Sequence, residues 1–342
     1  MNGWEYPEWC LWGDGLFFNL KTAYAFWMMR MTVLASGSKG NSTIVSSSRT
    51  RILVDAGLSC RELLKRMQMA DEDPAAIDAL LITHEHLDHV QGLAVLARKL
   101  GVPVYFTQAT HRAWMRWMMP HKRMTYAAWL ALRQQDLAQR QAAEAAPASS
   151  VPVVEDAECT DDAPAKQEDP LKDPCSLPGV EYFAAGTGFS IGDIAVTPFT
   201  IPHDAADPVG FVFEADGVRM AIATDLGYMP PNVKMAIRNC DVLMLESNHD
   251  LEMLRDGPYP WSVKQRVMSR VGHLSNEAAS DFLEKNYDGN ASYVVLAHLS
   301  ECNNLPELAR VTAERALRDR MSLLANKLIL AQQDVPLEPI CL

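Results

Sequence analysis

At 342 residues, with 48% hydrophobic side chains, the chain is too apolar for a disordered protein or a fibre, and long enough for one large α/β domain or two smaller ones. Its formal charge of −12 lacks the basic balance usual in a nucleic-acid partner. Half of that excess sits in residues 151–175, where eight acidic side chains face only Lys166 and Lys172, so the remainder neither supports nor excludes a polyanionic substrate.

The seven cysteines are odd in number and form no Cys-x-x-Cys pair, which argues for reduced thiols in the cytoplasm rather than a disulfide framework. None lies beside a histidine cluster, so metal ligands are expected from His and Asp alone. Residues 1–30 carry Trp4, Trp9, Trp12 and Trp27 without clean helical or strand periodicity. The apolar stretch 16–29 is interrupted by Asn19 and Lys21 and has neither a basic flank nor a small-residue cleavage site, so neither a signal peptide nor a membrane span is expected. Residues 1–30 are therefore expected to be an extension outside the fold, with the domain running over 31–342.

From Met31 the pattern is regular. Strands are expected over 32–35, 42–45 and 51–55, with a Ser36-Gly37-Ser38-Lys39-Gly40-Asn41 turn between the first two. A helix over 60–69, a strand over 80–83, a helix over 90–100, a strand over 102–106 and a helix over 110–117 continue a β-α-β alternation. On that last helix Trp114, Met115 and Met118 read as core. Residues 127–178 change character to Gln, Ala, Pro, Ser and acids with almost no aromatics. They read as an insertion, a helical stem over 126–144 followed by an acidic loop. Beyond Val180, strands are expected within 189–201, a hairpin over 209–215 and 218–224 around Asp216-Gly217, and a buried strand over 241–245. Helices over 261–270 and 275–285, the second capped by Ser275, precede a strand over 293–297, a helix from Pro306 to about residue 320 and a last strand over 327–331.

Between an expected strand and an expected helix lies Thr83-His84-Glu85-His86-Leu87-Asp88-His89. Three imidazoles and a carboxylate so crowded need hydrogen-bond partners or a metal to offset their desolvation. His84 and His86 alternate and can face one cavity, while Asp88 and His89 reach it from the helix start. Further on, Thr200-Ile-Pro-His203, Ile222-Ala-Thr-Asp225 and Val294-Val-Leu-Ala-His298 each set a ligand-type residue just beyond an apolar run. Two adjacent metals need about three protein ligands each plus a bridging carboxylate, with an open edge for water and substrate. His84, His86 and His203 on one ion, Asp88, His89 and His298 on the other, and Asp225 between them supply that set.

The chain resembles the metallo-β-lactamase superfamily, whose signature is His-x-His-x-Asp-His followed by a His, an Asp and a His at strand ends. Within it the wording is closest to the YycJ family, also called WalJ or VicX. That likeness rests on Leu34-Ala-Ser-Gly-Ser-Lys-Gly-Asn-Ser, Val54-Asp-Ala-Gly, His203-Asp-Ala-Ala-Asp-Pro-Val-Gly-Phe, Glu246-Ser-Asn-His-Asp, Gly272-His-Leu-Ser-Asn and Ala297-His-Leu-Ser-Glu-Cys-Asn-Asn. The resemblance implies an α/β fold, a four-layer αββα sandwich, and a 5′-to-3′ DNA exonuclease with two divalent ions and a suggested place in mismatch repair. Gly272-His273-Leu-Ser275 also resembles the tail of ribonuclease Z, where such a His stabilises or protonates the phosphate. On that likeness His273 joins Asp88 as catalytic, with Glu246 expected to hold His273 protonated and Asp55 to orient a ligand imidazole.

Imidazole-rich ligation suits zinc, manganese or iron and disfavours magnesium. Two such ions would lower the pKa of a bridging water and neutralise charge in an in-line displacement. The expected substrate contacts are Ser36, Ser38 and Asn41 in the turn, whose amides could face phosphate, Lys264 on the helix it shares with Arg266 and Arg270, and Ser275 and Asn276 after His273. DNA stands ahead of RNA as partner, no membrane is implied, and the oligomeric state is left open. The rival readings are a hydrolase of thioesters, lactones or β-lactams, for which His273 has no evident use, and a noncatalytic accessory protein of a signalling pathway, which would be expected to lack ligands. The short interval between Asp225 and His298 leaves no room for a large nucleic-acid-clamping domain of the ribonuclease J type. His111, His121 and His249 are assigned to the surface or to support of the ligands.

Overall fold

The computed structural model describes residues 9–12, 16–19, 28–119, 173–318 and 327–342. Its contacts divide the chain into one unit of residues 1–116 and 176–342, which holds both large sheets, and a second of 117–175. Most of the expected insertion, His121 and the end of the last expected helix lie outside the described residues.

The first seven-stranded sheet has the order β16-β3-β4-β5-β6-β7-β8. Its strands are β3 (Met29–Ala35), β4 (Ser42–Ser47), β5 (Arg51–Val54), β6 (Ala79–Leu81), β7 (Val104–Thr107), β8 (Val180–Phe183) and β16 (Ile340–Cys341). The second has the order β15-β14-β13-β12-β11-β10-β9, from β9 (Phe189–Ile191), β10 (Ile194–Thr200), β11 (Val209–Ala215), β12 (Val218–Ala223), β13 (Val242–Glu246), β14 (Tyr293–Ala297) and β15 (Lys327–Leu330). Each sheet is mixed, with antiparallel hairpins leading into parallel strands β5 to β8 and β12 to β15. Two short strands, β1 (Trp9–Trp12) and β2 (Leu16–Asn19), pair as a separate antiparallel ladder.

Strand alternation sorts the core into layers. Phe211, Phe213, Met220 and Met244 pack with Met31, Val33, Val45, Val54 and Leu81 between the two sheets. Their sequence neighbours Val212, Ala221, Leu243 and Leu245 face the other way and pack with Phe282, Leu283, Ala313 and Leu317 from helices α8 (Asn276–Lys285) and α9 (Pro306–Leu317). On the first sheet, α1 (Cys60–Met69) buries Leu63 and Met67, and its Arg66 donates to the carbonyls of Leu34 and Gln333 at 3.1 and 2.6 Å. The architecture is the expected αββα sandwich.

Several expectations need correction. The first strand of the sheet begins before the expected 32, since β3 takes in Met29, Arg30 and Met31. Arg30 opposes Cys341 and pairs with buried Glu72 at 2.9 Å. The helix expected over 90–100 starts earlier and is broken into α2 (Leu87–Val90) and α3 (Leu93–Leu100), with Gly92 packed so tightly that a Cβ there would lie 2.2 Å from the Leu58 carbonyl oxygen. The helix expected over 261–270 ends at Val267, as α7 (Trp261–Val267). The short strands β8 and β16 and the six-residue helices α5 (Pro231–Ala236) and α6 (Leu251–Asp256) were not expected, being too brief for a periodic signal. Trp114 is buried as expected, while Met115 and Met118 are half-buried.

Both sheets end at one rim, and three residues there, Asp55, Asp225 and His298, adopt left-handed backbone conformations with φ of 60°, 61° and 57°. Such strain at non-glycine positions persists only where the surroundings enforce it. At Asp55 the enforcing contacts are backbone hydrogen bonds from Ala56 to the His89 carbonyl at 2.8 Å and from Gly57 to the Asn41 carbonyl at 3.0 Å. A Cβ on Gly57 would lie 1.7 Å from the Asp88 carbonyl oxygen. Gly57→Ala is therefore expected to cost about 1–3 kcal/mol of stability by overpacking and to reduce bound metal by displacing Asp88; thermal unfolding and elemental analysis of the same preparation check both.

Candidate metal centre

Asp55, at the end of β5, organises the start of the site. Its carboxylate accepts from the Thr83 amide at 2.9 Å, from the Thr83 hydroxyl at 2.8 Å and from His89 Nδ1 at 2.8 Å. Burial pushes the Asp55 carboxyl up, against the downward pull of His89 and Thr83. Bonding at Nδ1 fixes the tautomer of His89 and leaves Nε2 to face the cavity. The same device recurs: His203 Nδ1 lies 3.1 Å from the Gly272 carbonyl, His298 Nδ1 lies 3.0 Å from Glu246, and His84 Nδ1 lies 3.0 Å from the Thr83 hydroxyl.

The remaining ring nitrogens converge in two groups. His84, His86 and His203 bring ligand atoms within metal-binding reach of one another, and so do Asp88, His89 and His298. Asp225 lies between the groups, with Oδ2 3.4 Å from His89 Nε2, and Oδ1 3.5 Å from His298 Nδ1 and 3.9 Å from His203 Nε2. Asp88 Oδ2 stands 3.5 Å from both His89 Nε2 and His298 Nε2. Thus the structure brings the seven candidate ligands together, and His84, His89 and Asp225 form a further close group that spans the two sets.

The donor set fits divalent ions. His84 Nε2, His298 Nε2 and Asp225 Oδ2 are buried without a hydrogen bond, which would be costly if nothing else satisfied them. Burial holds the His84 imidazole well below its ordinary pKa, so its lone pair is available. At His89 and His298 burial also lowers the pKa, but Asp225 and the other carboxylates around them more than offset it and hold both imidazoles well above the usual range. Asp225 goes the other way, its carboxyl held well below normal as His298 and His89 overcome burial. This is a field that attracts a cation.

His273 stands beside these ligands, its ring centroid 5.1 Å from those of His203 and His298. Its Nδ1 lies 2.8 Å from Glu246 Oε1, the same oxygen that faces His298 Nδ1, while Glu246 Oε2 accepts from the Leu226 amide. Asp225, Glu246, His273 and His298 are close enough to hold an ion. The distances to Glu246 are nonetheless those of hydrogen bonds, so this group reads as support for the two metal sets. Burial works to raise the Glu246 carboxyl, and His273 and His298 lower it further than burial raises it.

Most of the expected substrate contacts are otherwise engaged. Lys264 is buried, its ammonium donating to the carbonyls of Arg255 at 2.6 Å and Gly257 at 2.8 Å just past α6. Ser275 caps α8 by accepting from the Ala278 amide at 3.2 Å. Asn276 is locked in a buried network with Ser247 and Asn304. The Ser36 hydroxyl accepts from the His298 amide at 2.8 Å and so holds a ligand. Most of the turn's amides are also engaged, since Ser36, Gly37, Lys39, Gly40 and Asn41 all spend theirs within the protein. Ser38 is exposed. Asn41 is buried at the site itself, with Nδ2 3.2 Å from Asp88 Oδ2 and 3.1 Å from His89 Nε2.

Neither described outlying histidine lies on the surface. His111 bonds Tyr182 at 2.8 Å under Phe106 and Trp114, and His249 is buried, burial pushing its imidazole down to about 4. Sequence reasoning missed Thr83, the Gly272 carbonyl and the double duty of Glu246. Only the position of Glu246 at the end of an apolar run signalled it.

The sequence model of the family described as the metallo-beta-lactamase superfamily matches residues 35–298. The chain is 32% identical over 292 residues to exodeoxyribonuclease YycJ of Bacillus anthracis, covering 85% of this chain and 90% of that protein. It is 31% identical over 283 residues to exodeoxyribonuclease WalJ of Streptococcus pneumoniae, covering 83% and 86%. Among solved structures, the metallo-beta-lactamase fold protein YhfI of Bacillus subtilis has a TM-score of 0.56 at 14% identity over 90% of this chain and 98% of that one, a likeness of fold. Removing the orienting carboxylate tests the metal set directly. Asp55→Ala is expected to weaken metal affinity by about 10- to 100-fold, measured by competition with a chromogenic chelator, and to leave the secondary structure intact by circular dichroism.

Proposed function

The chain belongs to the metallo-beta-lactamase superfamily and is a metal-dependent hydrolase, and from that premise we propose that it is a dinuclear exodeoxyribonuclease, working 5′ to 3′ on DNA. The names of its relatives support the substrate class. A place in DNA repair belongs to the same proposal, since excision needs an enzyme that removes a strand from one end. Among the described residues no helix is long and apolar enough to cross a membrane. Cys60, Cys240, Cys302 and Cys341 are free thiols, which accords with a reducing, cytoplasmic setting.

The observation that carries the reading is His273. Its Nδ1 is spent on Glu246, and its Nε2 has no hydrogen-bond partner among the described residues. It therefore stands next to the two metal sets as a group that can hold a proton at Nε2. When the strand is cut, water adds to phosphorus, the bond from phosphorus to the 3′ oxygen breaks, and that oxygen takes the proton from His273 Nε2. Glu246 fixes the ring for this transfer. Two zinc, manganese or iron ions, held by His84, His86 and His203 and by Asp88, His89 and His298 with Asp225 between, would supply charge neutralisation and a nucleophile at neutral pH. Asp88, ionised because His89 and His298 overcome the effect of burial, helps to orient the attacking water.

The test is to incubate the protein with 5′-labelled duplex DNA, RNA and a thioester in Mn²⁺ or Zn²⁺, beside an Asp88→Ala, His89→Ala control. Cleavage of DNA from the 5′ end, absent in the control, is the expected result; hydrolysis of the thioester alone, or of none of the three, overturns the proposal. His273→Ala is expected to keep its metal and lose about 10²- to 10⁴-fold in turnover, and loss of metal in that variant would refute its role.

A further inference from the structure

An exonuclease must hold the strand next to the bond it cuts, and the structure shows which cation is available to do so. Four basic side chains lie on the segments that carry or adjoin the site. Lys39 pairs with Glu301, Lys264 is buried among carbonyls, and Arg266 pairs with Asp204. Among the described residues Arg270 has no acidic partner and no hydrogen bond. It is exposed, and its guanidinium lies 4.3 Å from the centre of the half-buried Tyr228 ring.

Both members of this stack are close to the chemistry. Tyr228 follows Asp225 by three residues, and Arg270 precedes His273 by three. The loop between α7 and His273 is tied to the site along its length. The His273 amide donates to the Val267 carbonyl at 2.9 Å, the Asp204 amide donates to the Val271 carbonyl at 3.0 Å, and His203 Nδ1 binds the Gly272 carbonyl at 3.1 Å. Gly227 packs so closely that a Cβ would lie 2.2 Å from the Arg270 carbonyl oxygen. The Arg270 backbone is thus tied to the segments that carry His203, Asp225 and His273, and its guanidinium lies over Tyr228. Stacking on an aromatic face restrains its plane and leaves its N–H edge free, an arrangement suited to phosphate oxygens.

We propose that Arg270, held flat by Tyr228, is a positioning residue that grips a backbone phosphate of the DNA strand beside the scissile bond. The proposal rests on the nuclease reading and assigns to Arg270 the contact that the sequence suggested for Lys264. The test uses the metal-loaded protein and a fluorescein-labelled single-stranded phosphorothioate oligonucleotide, with affinity read by anisotropy across a salt series. Arg270→Ala is expected to bind about 10- to 100-fold more weakly, with the slope of log affinity against log salt reduced by about 0.7, and with metal content and unfolding temperature as in the wild type. Arg270→Lys recovers part of the loss, and Tyr228→Leu, but not Tyr228→Phe, weakens binding. Unchanged affinity in Arg270→Ala overturns the proposal, as does a loss with no change in salt slope or one accompanied by loss of metal. If the wild type binds no oligonucleotide, the nuclease reading falls and this proposal with it, whereas a wild type and an Arg270→Ala variant that bind alike sink this proposal alone.

Discussion

Everything at the site depends on imidazoles bonded at Nδ1, most of them to buried acceptors at strand ends. Asp55 does this for His89, the Gly272 carbonyl for His203, and Glu246 for both His298 and His273. Each contact selects one tautomer and turns the other nitrogen toward a common point, which free rings in water would not do without losing rotational freedom. The negative charge of Asp55, Asp88, Asp225 and Glu246 then draws positive charge into a space where burial alone would exclude it. Remove the acceptors and the same histidines would be a loose polar cluster.

The two sheets make this convergence possible. Asp55, His84, His86, Asp88 and His89 follow strands of the first sheet, while His203, Asp225, Glu246 and His298 end or follow strands of the second. Packing of Phe211, Phe213 and Met244 against Val45, Val54 and Leu81 sets the distance between the halves. Left-handed turns at Asp55, Asp225 and His298 bend the chain sharply at the points where a side chain must enter the cavity. The strain is local, and backbone bonds such as that from Ala56 to the His89 carbonyl offset it.

The acidic balance of the chain does not by itself exclude a polyanionic substrate. Half of the excess negative charge lies in residues 151–175. Near the site, Asp55, Asp88, Asp225 and Glu246 lie against imidazoles, Glu301 pairs with Lys39, Asp204 with Arg266, and Glu85 accepts from the Ala206 amide. What a phosphate would meet at close range would be governed by any ion bound between the candidate ligands and by the cations left unpaired, because exposed charges farther away are screened within about 8–10 Å at ordinary salt.

The amino-acid sequence by itself singled out the candidate metal-ligating residues and most of the strands and helices that carry them. Strand and helix periods repeat locally, and His84, His86, His203, Asp225 and His298 each stand just past an apolar run, so the candidate ligands and most of the elements were legible without coordinates, whereas the αββα layering was implied by the resemblance to the metallo-β-lactamase superfamily. Only the tertiary structure decided what the other polar residues do. Lys264, Ser275, Asn276 and Ser36 have the composition of substrate contacts, yet each is consumed by a backbone group or a buried amide brought to it by the fold. Conversely, Thr83, Gly272 and Glu246 became supports of the metal set through contacts that span up to 69 positions, as from His203 to Gly272. Hydrogen-bond satisfaction is settled by which groups meet in space, and a local pattern of residue types carries no record of those meetings.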